Sequence, residues 1–140
     1  MLEGLFVTPA VIIIDEALAS AKADGPIAVV GDARLAKALA ARREVVAVDL
    51  PPRQAKKHAG KVVALADLPP LGFAAVVGIA ATDEALPAWS RAVRDGGAIV
   101  TVDRNHAAEA SRRALCAGLT ELEQRHSGRI VVTSGLVTHL

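Results

Sequence analysis

The stretch Ile27-Ala28-Val29-Val30-Gly31-Asp32 decides the fold of this chain. Four consecutive apolar residues are typical of a β-strand that is buried on both faces, and the glycine allows a tight turn directly after it. The next residues, Asp32 to Arg43, place Leu35 and Leu39 on one face of a predicted helix. A doubly buried strand followed at once by an amphipathic helix is the repeating unit of a parallel sheet covered by helices.

The same alternation of strands and helices continues along the chain. Four further apolar runs are predicted strands: Val45–Asp49, Lys61–Leu65, Phe73–Ile79 and Ala98–Asp103. Two further helices are predicted: Glu84–Arg94, ended by Gly96 and Gly97, and His106–Ala117, capped by Asn105. Only Ser127 and Gly128 separate the last two strand-like runs, Leu119–His126 and Arg129–Val137, which predicts an antiparallel hairpin. We therefore predict a three-layer α/β fold with an open, mostly parallel sheet and a C-terminal antiparallel hairpin.

Length and composition favour one domain over residues 1–140. A chain of 140 residues, 52% of them hydrophobic, can build one core without metals or disulfides. Sixteen basic and fifteen acidic residues give a formal net charge of +1, which argues against nucleic acid or an anionic membrane as a partner. Cys116 is the only cysteine, so an internal disulfide is excluded and a reducing, cytoplasmic location is expected.

The N-terminal segment is predicted to form a helix over residues 9–24. Thr8 is the expected cap, Pro9 suits the first helical position, and Gly25 with Pro26 closes the pattern. Met1 to Phe6 contains no basic residue, so a signal peptide is not expected, and the apolar run that follows is too short to span a membrane.

That apolar run, Val11–Ile14, is the predicted site of homodimer formation or of a protein partner. Four consecutive apolar residues cover more than one face of a helix, so a single packed stripe does not hide all of them. Coverage by the rest of the domain is the alternative, and it is the usual arrangement for a terminal helix.

Polar residues at the predicted strand ends are the candidates for cofactor binding, because ligands of open α/β sheets gather beyond the carboxyl ends of the strands. Gly31 and Asp32 open the first turn, where helix amides can receive an anion. Asp49 closes the second strand, where an acid can accept hydrogen bonds from ribose hydroxyls. Asp67 follows the third strand and could accept a hydrogen bond from an adenine amine. Each residue also has a structural alternative, as a turn glycine, a helix cap or a solvated acid.

Asp103 and His106 follow the fifth strand and are the candidates for proton transfer. The other histidines, His58, His126 and His139, have no ligand spacing, so no metal site is expected. The basic run around Arg53, Lys56, Lys57 and His58 lacks interleaved aromatic residues, so a solvated helix face is the favoured interpretation.

Together these segments resemble the class I S-adenosylmethionine-dependent methyltransferases, a Rossmann-like family. Ile27–Asp32 resembles that family's first strand and glycine turn, and Val45–Asp49 its second strand with the ribose-binding acid. Phe73–Val77 resembles the fourth strand, Trp89–Asp103 the helix, double glycine and fifth strand, and the terminal hairpin the last two strands. The resemblance implies S-adenosylmethionine as the cofactor, with Asp67 in the place of the adenine-binding acid.

The chain departs from that family in the glycine turn. Val29 stands where the family has an acid, and Ala33 and Leu35 stand where it has its second and third glycines. The favoured hypothesis is therefore a degenerate, non-catalytic methyltransferase-like domain that acts as a self-associating interaction module. The first alternative is an active minimal methyltransferase on a small molecule or protein, in which Asp103 or His106 takes a proton. The second is a module that binds NAD or another nucleotide through Gly31 and Asp49.

Overall fold

The computed structural model describes residues 4–58, 60, 62–79 and 81–139. Its strands are β1 (Ile27–Val30), β2 (Val45–Val48), β3 (Val62–Val63), β4 (Phe73–Ile79), β5 (Val93–Arg104), β6 (Thr120–Ser127) and β7 (Ile130–Leu136). Its helices are α1 (Gly4–Ser20), α2 (Ala33–Ala40), α3 (Pro52–Lys57), α4 (Ala85–Ala92) and α5 (Ala107–Cys116). A short 3-10 turn, Leu65–Asp67, lies between β3 and β4. The three-layer α/β prediction is confirmed.

The sheet has the strand order β3-β2-β1-β4-β5-β7-β6. Strands β1 to β5 are parallel to one another, and β7 is antiparallel to both β5 and β6. The connections run outward from β1 to β3 on one side and from β4 onward on the other, so the order reverses between β1 and β4. In open α/β sheets this reversal opens a crevice at the carboxyl ends of the strands.

Each face of the sheet carries its own apolar core. Ile27 and Val29 face the core formed with α1 and α2, whereas Ala28 and Val76 face the core formed with α4 and α5. All four are fully buried, which explains why the strands are continuous apolar runs instead of alternating patterns.

Helix α1 differs from its prediction at both ends. It spans Gly4–Ser20, so Thr8 and Pro9 lie inside the helix and do not begin it. At the other end Lys22 takes the left-handed conformation with φ of 54°, and the amide of Ala23 donates to the carbonyl of Leu18 at 3.0 Å. This is the glycine-type helix ending with lysine in the glycine position, so the helix stops before Gly25.

The rest of the domain covers most of the predicted interaction segment, Val11–Ile14, which lies within α1. Val11, Ile13 and Ile14 are buried in the core, whereas Ile12 is 48% exposed. Coverage by the rest of the domain therefore accounts for three of the four residues. Among the described residues, the helices are all too short or too polar to cross a bilayer, and Met1 to Glu3 lie outside that part of the chain.

Three other boundaries differ from their predictions. Gly96 and Gly97 lie inside β5, which starts at Val93 and bulges against β4, so they do not terminate α4. His106, with φ of 62° and no capping hydrogen bond from its side chain, precedes α5 in the position expected for Asn105. Strand β3 keeps only two residues of the predicted run, and Lys61 lies outside the described residues.

Candidate functional site

A cavity of about 610 Å³ lies on one face of the sheet and reaches the carboxyl ends of β2 and β3 at Asp49 and Ala64. Its far side, at Pro70 and Arg91, lies near the starts of β4 and β5. Asp49, the residues around the 3-10 turn and helix α4 form its walls; the lining residues are Asp49, Ala64, Leu65, Ala66, Leu68, Pro70, Ala88, Arg91 and Ala92. The connection from β3 to β4 contains only that short turn, where a longer helix would pack against the sheet in a usual strand-helix-strand crossover. The missing helix therefore leaves space of the size that small-molecule ligands occupy.

Asp49 stands at the mouth of this cavity with its carboxylate exposed to solvent. Its backbone has a φ of 47°, and its Oδ1 accepts a hydrogen bond from the amide of Leu65 at 3.0 Å. The amide of Asp49 donates to the carbonyl of Val63 at 3.0 Å. The carboxylate is thus held between two strand ends and can still accept hydrogen bonds from hydroxyl groups in the cavity.

Gly31 provides an open turn beside β1. Its φ is 83°, and a Cβ added to it would meet no atom within 4 Å. The amide of Gly31 donates to the carbonyl of Val48 at 2.9 Å, so the turn is tied to the strand that carries Asp49. The predicted glycine and ribose-type acid therefore lie on neighbouring strand ends.

Asp32 acts as the N-cap of α2 and is fully buried. Its Oδ1 accepts from the amide of Leu35 at 2.9 Å, whereas its Oδ2 is a buried acceptor without a partner among the described residues. Gln54 reaches over from α3, and its Oε1 accepts from the amide of Ala33 at 2.8 Å. Two donors at the start of α2 are therefore already used by the chain, which leaves that helix end a poor receiver for a phosphate.

Asp67 lies away from the cavity wall. It is exposed at the end of the 3-10 turn, and its neighbours Ala66 and Leu68 line the cavity instead.

Sequence reasoning missed Arg91 in the cavity wall and Gln54 at the start of α2, because their positions depend on how α4 and α3 pack against the sheet. The 3-10 turn, which has no apolar periodicity, gave no sequence signal of its own.

The predicted proton-transfer residues, Asp103 and His106, lie at and just beyond the carboxyl end of β5. Asp103 is buried near the end of β5, with Oδ1 3.5 Å from Nη2 of Arg113 and Oδ2 without a partner in the described part of the chain. Burial raises the pKa of Asp103 above its usual 3.8. The charge and hydrogen bond of Arg113 and the charge of His106 lower this pKa, but the effect of burial is larger. Arg113 also donates to the carbonyl of Ala81. His106 is exposed at the start of α5.

Replacing Asp103 with asparagine is expected to stabilise the protein at pH 7 and to have little effect near pH 4. Because the pKa is raised in the folded state, the stability that this group contributes is complete below 3.8 and is lost as the pH rises through the folded value. Asparagine keeps an oxygen for Arg113 and carries no buried charge. Urea unfolding of both proteins at the two pH values measures the difference, and a variant less stable than the parent at pH 7 would contradict it.

Among the described residues, no group of three or more His, Cys, Asp or Glu side chains is placed to hold a metal ion. Cys116 is exposed near the end of α5, and its sulfur lies 3.7 Å from Nη1 of Arg112. No histidine contact is found for that thiol among the described residues. Neither a metal cluster nor an activated thiol is therefore found in the described part of the chain, and the cavity beside Asp49 is the candidate site.

Known proteins resemble this chain in structure. No family model and no curated protein matches its sequence. A SAM-dependent methyltransferase from Thermotoga maritima, described as a possible histamine N-methyltransferase, superposes with a TM-score of 0.70 at 15% identity and covers 96% of this chain and 92% of its own. N-methyltransferase NodS from Bradyrhizobium japonicum gives 0.68 at 13% identity, covering 98% and 99%. The 16S rRNA N2 G1207 methyltransferase of T. thermophilus, solved with AdoMet and guanosine, gives 0.65 at 15% identity; the match covers 82% of this chain but only 36% of that enzyme.

These matches and the strand order define the fold of the chain. The chain has the class I S-adenosylmethionine-dependent methyltransferase-like fold, with the reversed strand β7 inserted between β5 and β6. At these identities the likeness establishes the fold and leaves the activity to the residues of the site.

Proposed function

We propose that this chain binds S-adenosylmethionine, with the adenosine half in the cavity beside Asp49. The observation that carries the proposal is the exposed Asp49 carboxylate, which lines a cavity of about 610 Å³ where that cavity reaches the carboxyl end of β2. Two further features support it. The turn at Gly31 leaves open space for a close approach, and the methyltransferases of the same fold are S-adenosylmethionine-dependent proteins or were solved with AdoMet.

The residues present fit the nucleoside half of this cofactor. Asp49 would accept hydrogen bonds from the ribose hydroxyls, and the apolar wall formed by Leu65, Ala66 and Leu68 would pack against the adenine ring. S-adenosylmethionine, when bound, supplies an activated methyl group on a sulfonium. The chain contributes orientation and exclusion of water in this scheme, which are the main protein contributions to such a transfer.

The methionine half finds less support in the chain. Val29 has no carboxylate, and Asp32 is fully buried, so neither residue offers an accessible carboxylate to an ammonium group. We therefore infer that binding energy comes mainly from the nucleoside and that methyl transfer is slow or lost. Methyl transfer by the purified protein to any acceptor at an enzyme-like rate would overturn this second inference and leave the first intact.

Isothermal titration with S-adenosylhomocysteine, adenosine, methionine and NAD tests the proposal. We expect S-adenosylhomocysteine and adenosine to bind with similar dissociation constants, and methionine alone to give no heat. NAD is expected to bind more weakly than adenosine, since its pyrophosphate would meet a helix start already occupied by Asp32 and Gln54. Absence of binding by both adenosine compounds would refute the proposal, and preference for NAD would favour a dinucleotide module.

We also propose, as the second candidate function, that the domain self-associates through the exposed part of α1. The candidate rests on Ile12 alone, which is 48% exposed on α1 while its neighbours Val11, Ile13 and Ile14 are buried. Such a surface would serve an assembly role whether or not methyl transfer is retained.

Replacing Ile12 with aspartate is expected to convert a dimer into a monomer in light scattering, since a buried unpaired charge opposes association. Leu115→Asp is the control because Leu115 is 63% exposed on α5 and lies outside the predicted surface. Ile13→Asp would place a charge in the core and so would report on unfolding instead. A parent protein that is monomeric at high concentration would remove this candidate.

A further inference from the structure

A second cavity, of about 480 Å³, lies between α2 and α3, away from the cavity beside Asp49. Alanines of α2 and Val45 of β2 form its apolar part. Basic side chains and one imidazole form its rim: Arg34, Lys37, Arg53, Lys57 and His58. No residue lines both cavities, so they are separate places in the fold.

The short helix α3 explains why this space is open. It has only six residues and none of them is buried, so α3 stands beside the sheet without filling the gap next to α2. The side of α2 that faces the gap carries small residues, Ala33, Ala36 and Ala40, and these leave room above Val45. A gap of this size with an apolar floor falls within the range of small-molecule sites.

In the described part of the chain, the basic side chains on the rim are not paired with acids. Arg34, Lys37, Arg53 and Lys57 make no ion pair within the described residues, and no Asp or Glu lines the cavity. Five arginines elsewhere are each paired with an acid: Arg42, Arg43, Arg112, Arg113 and Arg125. In a chain whose net charge is only +1, this local excess of cations is a specific feature of the cavity.

We propose that this cavity binds an organic anion with an apolar body, such as a compound that carries a phosphate, sulfonate or carboxylate on an aromatic or aliphatic frame. The apolar body would cover the alanines and Val45, and the anionic group would pair with Lys57 and Arg34 at the rim. No Phe, Tyr or Trp lines the cavity, and His58 is its one aromatic ring, so it offers no row of rings on which successive bases of a single-stranded nucleic acid could stack. A small amphiphilic anion fits both the charge and the floor.

The binding test is isothermal titration of the full-length protein with 1-naphthyl phosphate. Inorganic phosphate supplies the charge without the body, and 1-naphthol supplies the body without the charge. We expect 1-naphthyl phosphate to bind at least about tenfold more tightly than either, because both parts of the cavity are used together. Its affinity is also expected to fall as salt is added. Equal binding of the three probes, or no binding, would overturn the proposal.

Matched variants on one helix locate the site. Lys56 and Lys57 are both exposed in the last turn of α3, but only Lys57 lines the cavity. We expect Lys57→Glu to weaken 1-naphthyl phosphate about tenfold, as expected for reversing a paired charge, and Lys56→Glu to leave its affinity unchanged. Arg34→Glu should act like Lys57→Glu, and the start of α2 tolerates it because an acid is favourable at a helix N-terminus.

Two results would contradict the assignment directly. Equal losses of affinity for 1-naphthyl phosphate in the Lys56 and Lys57 variants would show that the positive charge of α3 as a whole, and not the cavity, attracts the anion. Tighter binding of a twelve-nucleotide single-stranded RNA than of 1-naphthyl phosphate, with loss in the Lys57 variant, would make the cavity part of a nucleic-acid surface. Binding of S-adenosylhomocysteine, measured in the same variants, should stay unchanged because the two cavities share no residue.

Discussion

Replacing Gly97 with alanine is expected to destabilise the protein by about 3 kcal/mol. A Cβ at this position would lie 2.5 Å from Cγ1 of Val93, 2.6 Å from the carbonyl oxygen of Ala74 and 3.0 Å from that of Arg94. Two of these contacts are backbone atoms, and Ala74 belongs to β4 at the centre of the sheet, so the strands cannot move apart without loss of their hydrogen bonds. Urea unfolding measures the change in the free energy of unfolding.

The neighbouring glycine is the matched control. A Cβ on Gly96 would meet no atom within 4 Å, although its φ of 78° is left-handed. Gly96→Ala should therefore cost only the conformational strain, about 1–2 kcal/mol. Equal losses at the two positions would show that the close approach at Gly97 does not limit the packing of β5 against β4. The double glycine would then be explained by conformation alone.

The sheet could be predicted because its signal is local and repeated. The runs Ile27–Val30 and Phe73–Ile79 were predicted with their observed bounds, since strands buried on both faces are apolar without interruption and end at turn residues. The terminal hairpin followed from the two-residue connection at Ser127 and Gly128. The helical segments between the other strands then indicated that those strands run parallel, since parallel strands are joined by such crossovers.

The ends of α1 could not be predicted because tertiary contacts outweighed local preferences. Proline is usually found in the first turn, yet Pro9 is tolerated inside α1, a helix that packs its apolar face into the core. Glycine is the usual residue in the left-handed ending, yet Lys22 occupies that position and the hydrogen bonds of the ending form around it. Burial of the Ile14 and Leu18 side chains determines where the helix lies, and the chain ends it accordingly.

The candidate site was predicted at the level of strand ends but not of shape. Gly31 and Asp49 lie on neighbouring strands, as the topology of a parallel sheet requires. The cavity that Asp49 lines arises from what the β3 to β4 connection lacks, and a missing helix has no residue pattern to recognise. Likewise, Asp32 was a candidate for cofactor binding with a helix cap as its structural alternative, and its side chain caps α2 because a buried acid needs the nearest amide donor.

Replacing Asp49 with alanine is expected to weaken the binding of S-adenosylhomocysteine about 100-fold. The variant loses two hydrogen bonds from ribose hydroxyls to a charged acceptor, together worth about 3 kcal/mol. It also loses the acceptor for the amide of Leu65 and places alanine at a φ of 47°, so rearrangement of the cavity wall contributes to the loss as well.

Asp49→Asn separates these two causes. Asparagine tolerates the left-handed conformation and keeps an oxygen for the amide of Leu65, but it presents a neutral amide to the ribose. We expect it to preserve the melting temperature and still weaken S-adenosylhomocysteine about tenfold, because the charge-assisted bond is lost. Asp67→Asn, on an exposed acid outside the cavity wall, should leave the dissociation constant unchanged. If the Asp67 variant lost affinity and the Asp49 variant did not, the nucleoside would have to lie against the 3-10 turn, and the end of β2 would have no part in binding it.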